Sequence, residues 1–182
     1  MKRVLLTAAA ALAIAAGQSN WAAGAVEAAP PAADARADDF VKTASIANLY
    51  EIEAGRIAAQ RAQSAEVKAL AQMFVEDHTQ IGRNMASTLK TSGLGIVPPD
   101  HLDAHYEALI QQLEAASAGD FDRIYLHQQL TAHAQALRLM DGYAAHGDQP
   151  ALRALASKTA PIIRRHLNEV RRIGGGAFHK PA

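Results

Sequence analysis

Cysteine is absent from this 182-residue chain, which excludes disulfide bonds, thiolate metal ligands and thiol nucleophiles. Aromatic residues make up only 5% of the sequence, β-branched residues are sparse, and no long alternation of apolar and polar residues predicts a strand. The net charge is zero, because 18 basic residues balance 18 acidic ones, so no overall field favours nucleic acid or anionic lipid. Any metal ion would have to be held by nitrogen and oxygen atoms.

The N-terminal residues have the pattern of an export signal. Positive charge beginning at Lys2 precedes an apolar, alanine-rich stretch at residues 4–16, which is too short to span a bilayer comfortably. Small residues suited to signal peptidase follow, and we place the cleavage after Ala25, so that residues 1–25 form a signal peptide. The sequence therefore predicts a periplasmic or secreted protein without a stable membrane span after cleavage; an uncleaved anchor is the alternative.

The rest of the chain divides by composition into a linker, a domain and a tail. Residues 26–38 are rich in alanine and proline and predict a disordered linker. The periodic apolar pattern covers residues 39–173, about 140 residues and enough for one core. Residues 174–182 contain three glycines and predict a flexible tail.

The domain shows only helical periodicity, so the fold class is all-α. Glycine, proline and capping residues interrupt the pattern and separate five helices. The predicted helices run from Asp39 to about Gln63, from Ser64 to about Ser92, from His101 to about Ser117, from Phe121 to about His146, and from a cap at Asp148 onward. The four long helices form two antiparallel hairpins joined by a long crossover that carries the short helix, which predicts a four-helix bundle.

One polar residue interrupts the apolar stripe on each long helix. Residues three or four apart share a helix face, and on the second helix His78 lies between Phe74 and Ile81. The four interrupting residues are Glu51, His78, His133 and His166. Buried polar groups need hydrogen-bond partners, and these four residues are the nearest candidates for one another.

Distance from the hairpin corners predicts that these residues lie at one level. Glu51 is thirteen residues before the corner at Ser64 and His78 is fourteen after it. His133 and His166 differ in level by three residues, or roughly 4.5 Å at a rise of about 1.5 Å per residue. The sequence therefore predicts a buried cluster of one carboxylate and three imidazoles near the middle of the bundle.

Three further residues lie within about two helical turns of these four. Asp77 is at the edge of the inward stripe, where it is either another metal ligand, an acceptor that orients an imidazole, or a surface carboxylate. Tyr125 either adds its hydroxyl to the cluster or buries its ring and leaves the hydroxyl in water. Pro161 frees the carbonyl of Ser157 inside the last helix and predicts a bend there.

The ordered motifs resemble those of a bacterial family, domain of unknown function 4142. The similarity covers about Asp39 to Ile173 and implies an exported protein with a ferritin-like four-helix bundle, without an established activity. The positions that match the family's motifs are Glu51, Asp77, His78, Tyr125, His133, Pro161 and His166. The motifs are Glu51-Ile52-Glu53-Ala54-Gly55 with Ile57 to Gln60, Val67 to Ala71 leading to Asp77-His78, Phe121-Asp122 with Tyr125 leading to His133, and Ala160-Pro161 leading to His166-Leu167.

The candidate ligands differ from those of ferritin-like di-iron proteins. Those sites use Glu-x-x-His on two helices, whereas Val75, Leu130 and Ile163 precede the three histidines by three positions here. The sequence therefore predicts a site for a single ion, such as zinc, copper, nickel or iron, held by Glu51, Asp77, His78, His133 and His166.

Three functions fit these residues. The first is a non-enzymatic bundle that binds or senses one metal ion. The second is a structural or envelope-stress protein whose buried Glu/His network fixes helix packing without a metal. The third, less favoured because no nucleophile motif or phosphate loop is present, is a metal-dependent oxidase or hydrolase. No motif identifies a partner, and a homo-oligomer or another envelope protein fits the sequence equally well.

Overall fold

A computed structural model describes residues 36–177 and confirms the all-α bundle with a helical crossover. The signal peptide and most of the linker lie outside the described residues, as does the end of the tail. Residues 37 and 38 already belong to the first helix, and residues 174–177 continue the last. The helices are α1 (Ala37–Arg61), α2 (Ala65–Ser92), α3 (Ala104–Ala115), α4 (Ala118–His146) and α5 (Pro150–Ala177).

The helix ends agree with the sequence pattern in some places and differ in others. Ser64 caps α2 and accepts a hydrogen bond from the backbone N–H of Glu66. Asp39 lies in the first turn of α1 and does not cap it. The cap of α3 is Asp103, which accepts from the N–H of Tyr106, so this helix begins at Ala104 and not at His101 as the sequence pattern predicts. Several polar residues could serve as caps in each loop, and the backbone geometry selects one of them.

The helices pack as two hairpins, α1 with α2 and α4 with α5. Gly55 allows α1 and α2 to approach closely: a Cβ atom there would lie 2.8 Å from Cγ2 of Val75 and 3.1 Å from the carbonyl oxygen of Ala71. Glycine is thus required by the packing rather than by its backbone conformation. Within residues 36–177, no helix carries an apolar stretch long enough to cross a membrane.

Two apolar clusters fill the bundle, and the histidines lie between them. One cluster surrounds the α1–α2 corner and includes Phe74 and Leu126. The other lies toward the α4–α5 corner and includes Met85 and Met140. On α2 and α4, His78 and His133 fall between these residues in the chain. The polar layer is therefore enclosed by apolar packing on both sides, which removes it from water.

The crossover is fixed to the bundle by Arg61. Its guanidinium donates to the carbonyl oxygens of Leu113, Glu114 and Ala116 at 2.6–2.7 Å and lies 5.1 Å from the ring centroid of Phe121. These carbonyls lie at the C-terminal end of α3, where the regular helical hydrogen bonds end; that of Leu113 also accepts from the N–H of Ala116 at 3.3 Å. One side chain thus caps α3 and joins it to the end of α1.

Candidate metal centre

The three inward histidines meet in the centre of the bundle. His78, His133 and His166 are 3%, 1% and 0% exposed, and one ring nitrogen of each lies within 4.8 Å of the others. Phe74 packs against the group, with its ring centroid 4.6 Å from those of both His133 and His166. Three helices, α2, α4 and α5, therefore contribute one imidazole each to a single buried point.

His133 and His166 face each other through nitrogens that carry no proton. Nε2 of His133 lies 3.3 Å from Nδ1 of His166. Nδ1 of His133 donates to the backbone carbonyl of Gln129 at 3.0 Å. Nε2 of His166 donates to the carboxylate of Asp77 at 2.8 Å. A neutral imidazole has only one N–H. Both donors are therefore in use, and two lone pairs point toward each other.

His78 has the same arrangement. Its Nδ1 donates to the side-chain oxygen of Asn48 on α1 at 3.0 Å, and its Nε2 has no hydrogen-bond partner among the described residues. Each of the three imidazoles thus donates its N–H to an oxygen outside the cluster and leaves a lone pair inside it. This is the pattern by which proteins orient histidine ligands around a metal ion.

Burial keeps these imidazoles neutral. Desolvation lowers the pKa of His78 well below its ordinary value, and the nearby His133 and His166 lower it further. Desolvation also lowers the pKa of His133 from 6.5 to about 3. For His166, desolvation lowers the pKa although the Asp77 carboxylate opposes it. A neutral imidazole is the form that binds metal ions, so the cluster is poised to accept a cation.

Glu51 lies beside His133 but not at the meeting point of the lone pairs. Its carboxyl is 4% exposed, and its Oε1 is 3.7 Å from Nδ1 of His133, the nitrogen that carries the proton. Its Oε2 has no hydrogen-bond partner in the part of the chain that is described. Burial raises the pKa of Glu51 from 4.5 to about 8. The structure thus places this carboxyl beside the proton-bearing side of the His133 ring, away from the lone pairs.

Asp77 connects the cluster to the surface. Its side chain is 32% exposed and binds both His166, at 2.8 Å, and the exposed Arg165, at 2.7 Å. Of the three roles predicted for Asp77, the geometry matches that of a hydrogen-bond acceptor that orients an imidazole. The nearby Arg164 pairs with Asp141 on α4. Both arginines therefore bind carboxylates of neighbouring helices.

Tyr125 makes no hydrogen bond to the cluster. Its ring and hydroxyl are both buried, and the hydroxyl has no hydrogen-bond partner among residues 36–177, so its end is not in water. The side-chain amide of Gln129, one turn along α4, is also buried and unpaired there. Pro161 lies inside α5 on its exposed side. Neither Tyr125 nor Pro161 reaches the cluster with a polar atom.

Two groups in the site were not singled out from the sequence. Asn48 precedes Glu51 by one turn of α1, and that spacing is the only signal that could have drawn attention to it. The carbonyl of Gln129 is a backbone group, so no residue type identifies it. Both accept a hydrogen bond from an imidazole N–H and thereby determine which ring nitrogen faces the centre of the cluster.

A four-helix bundle with a buried three-histidine cluster is the class of protein that this fold and site define. The chain belongs to the family described as Domain of unknown function (DUF4142), whose model matches residues 22–173. This confirms the resemblance seen in the motifs. No curated protein shows a significant match to the chain.

Two solved structures have a similar fold. The DUF305 fragment from Deinococcus radiodurans is 16% identical, with a TM-score of 0.65 and coverage of 75% of this chain and 93% of that one. CopM in its Cu(II)-bound form is also 16% identical, with a TM-score of 0.66 and coverage of 79% of this chain and 98% of that one. At this level of identity the comparison supports the bundle architecture alone.

Proposed function

We propose that this protein binds a single transition-metal ion through His78, His133 and His166. The observation that carries the proposal is the convergence of three lone pairs, two of them 3.3 Å apart. Two nitrogens bound at about 2.0–2.1 Å to a tetrahedral ion lie about 3.3 Å from each other. The spacing of these two nitrogens therefore matches that of two ligands on one ion, and the ring nitrogen of His78, within 4.8 Å of both, would move closer to complete the site.

The neutral imidazoles also restrict the choice of ion. Three imidazoles without sulfur suit copper, zinc, nickel or iron rather than magnesium or calcium. Copper(II) is the strongest competitor for nitrogen ligands in the divalent series, and CopM, which has a similar fold, was determined with Cu(II) bound. Copper is therefore the first ion to test, with zinc as the second.

The surroundings hold the three imidazoles in an orientation that suits metal binding. Asn48, Asp77 and the carbonyl of Gln129 each hold one imidazole in the required orientation. Such partners raise ligand basicity, and their loss commonly weakens metal binding by about 10–100-fold. The proposed role is thus a high-affinity metal carrier or sensor, and we place it in the periplasm on the basis of the signal pattern at residues 1–25. Cell fractionation and N-terminal sequencing of the mature protein test the location.

The competing function is a packing network without a metal. In that case a proton shared by His133 and His166 would separate their lone pairs. The Asp77 carboxylate, 2.8 Å from His166, would offset its charge. Buried polar networks of this kind fix helix register in some bundles. If this alternative holds, replacing a buried histidine should lower the stability of the fold. The purified protein should then contain no stoichiometric metal.

Metal analysis of the tag-free protein distinguishes the two functions. We expect one copper or zinc ion per chain after loading and removal of excess ion. The His133→Ala variant should lose the bound ion, whereas His127→Ala, an exposed histidine two turns earlier on α4, should retain it. Absence of stoichiometric metal under every loading condition would overturn the proposal and leave the packing network.

A further inference from the structure

A cavity of about 180 Å³ adjoins the histidine cluster and extends toward the α4–α5 corner. One end contains Asn48, Glu51, His78 and His133. The helix order places the apolar wall beyond them, since Phe40 and Ala44 precede Asn48 on α1. The apolar wall includes Phe40, Ile81, Met85, Met140, Leu155 and Ile163.

The alanine-rich stripes explain why this space is open. Ala44, Ala47 and Ala136 line it from α1 and α4, where larger residues would fill the gap between the helices. The half-buried Pro98 and Pro99 of the crossover line the outer side. The cavity thus runs from the polar layer to a part of the crossover that is not helical.

Two buried atoms at the polar end have no hydrogen-bond partner within residues 36–177. They are Nε2 of His78 and Oε2 of Glu51, and both residues line the cavity. Leaving such groups unpaired costs free energy, so their presence points to a missing partner. The His78 nitrogen is an acceptor in the tautomer that Asn48 selects. Glu51 offers only acceptor oxygens when ionised, and both a donor and an acceptor when protonated. A partner that pairs with the His78 nitrogen must therefore donate a hydrogen bond.

Size and charge restrict the ligand further. An enclosed apolar cavity of about 150 Å³ in another protein holds benzene, so the space here fits one ring with one additional heavy atom. No lysine or arginine is among the described residues that line it, so a buried anion would lack a counter-charge. The apolar wall disfavours any second polar group.

We propose that this cavity binds a neutral single-ring molecule with one hydroxyl, of the size and polarity of phenol. Its ring contacts the wall formed with Met85 and Met140, and its hydroxyl donates to His78 or Glu51. The inference goes beyond metal binding and applies to the metal-free protein, in which no ion occupies Nε2 of His78. It also assigns a use to the space beside the histidines that the metal centre leaves unexplained.

Titration of the metal-free, tag-free full chain with phenol, toluene and benzoate tests the proposal. Calorimetry should show saturable binding of phenol at one site. Toluene, which has the same shape but no donor, should bind about tenfold more weakly. Benzoate should not bind. No saturable binding of phenol, or equal binding of phenol and toluene, would overturn the proposal whether or not the histidines bind metal.

Cavity-filling variants locate the site. Ala136→Leu and Ala44→Leu place a larger side chain in the cavity from two different helices, and each should weaken phenol binding at least about tenfold. Ala145→Leu makes the same change at an exposed position of α4 and should leave binding unchanged. Circular dichroism shows whether each variant is folded. Unchanged phenol binding in a folded filled variant would place the ligand elsewhere and overturn the assignment.

Discussion

Nε2 of His133 and Nδ1 of His166 lie 3.3 Å apart with their lone pairs directed at each other. The direction follows from the donors on the far sides of the two rings, which bind the Gln129 carbonyl and the Asp77 carboxylate. Two acceptors at this distance repel unless a cation lies between them. The backbone and an acidic side chain thus prepare a site for positive charge before any ion arrives.

Removal of the Asp77 carboxylate should weaken metal binding without abolishing it. Asp77→Asn keeps the shape of the side chain but reduces its hold on the His166 ring, and we expect a loss in affinity of about 10–100-fold at unchanged stoichiometry. Asp141→Asn is the matched control, because Asp141 also pairs with an arginine of α5 but does not contact the cluster. Equal affinities of the two variants in a competition titration would exclude an orienting role for Asp77.

The metal-free protein should lose stability as the pH rises toward about 8. Burial raises the pKa of Glu51 from 4.5 to about 8, so between these values the folded chain holds a proton that the unfolded chain has lost. The stabilisation is complete below the unfolded pKa and disappears as the pH passes the folded pKa. Urea unfolding measured from about pH 7 to 9, where unfolded histidine is largely neutral, isolates this effect.

Glu51→Gln provides the comparison for that measurement. The amide cannot ionise, so the variant should show a flatter dependence of unfolding free energy on pH over the same interval. The buried histidines have lowered pKa values and act in the opposite direction, reducing stability only as the pH falls below about 6.5. An identical slope in wild type and variant would show that Glu51 does not titrate as its burial predicts.

Replacement of Gly55 should reveal how closely α1 and α2 approach. A Cβ there meets Cγ2 of Val75 at 2.8 Å, whereas nothing lies within 4 Å of one built at Gly142 on α4. Gly142→Ala should stabilise the protein by about 0.5–1 kcal/mol through helix propensity. Gly55→Ala should be less stable than Gly142→Ala by about 1–3 kcal/mol. Thermal or urea unfolding checks the difference, and equal stabilisation by both changes would contradict the close contact.

Loss of Arg61 should release the crossover. Arg61→Ala removes the hydrogen bonds to three terminal carbonyls of α3, and we expect the free energy of unfolding to fall by about 2–4 kcal/mol. Hydrogen exchange should increase in α3 more than in the four long helices. Arg56→Ala, at an exposed position one and a half turns earlier on α1, is the control and should change stability by less than about 0.5 kcal/mol.

The inward apolar stripes were sufficient to predict the bundle and the meeting of the three histidines. Helix periodicity predicts which residues are buried, and the number of residues to each hairpin corner predicts their level along the bundle axis. The same reasoning placed Glu51 in the cluster but could not show that it lies behind His133. Ring orientation depends on Asn48 and on a backbone carbonyl, and neither is encoded by the apolar pattern. Sequence spacing thus predicts which helices contribute, while local hydrogen bonds decide which atoms face the centre.

The cavity was not predicted, for a related physical reason. Alanines on an inward stripe are compatible with close helix packing or with open space, and the apolar pattern does not distinguish the two. The structure shows close contact at Gly55 and a gap beside Ala44 and Ala136. Small residues therefore serve two different purposes at different levels of one bundle, and only the helix positions distinguish them.

X-ray absorption at the metal edge of the loaded, tag-free protein is the most direct test of the three-histidine site. A copper or zinc ion should show three imidazole nitrogens at about 2.0–2.1 Å, and the His166→Ala variant should lose one of them or fail to bind the ion. A spectrum with oxygen ligands alone, or one that is the same in wild type and His166→Ala, would contradict a metal centre built from His78, His133 and His166.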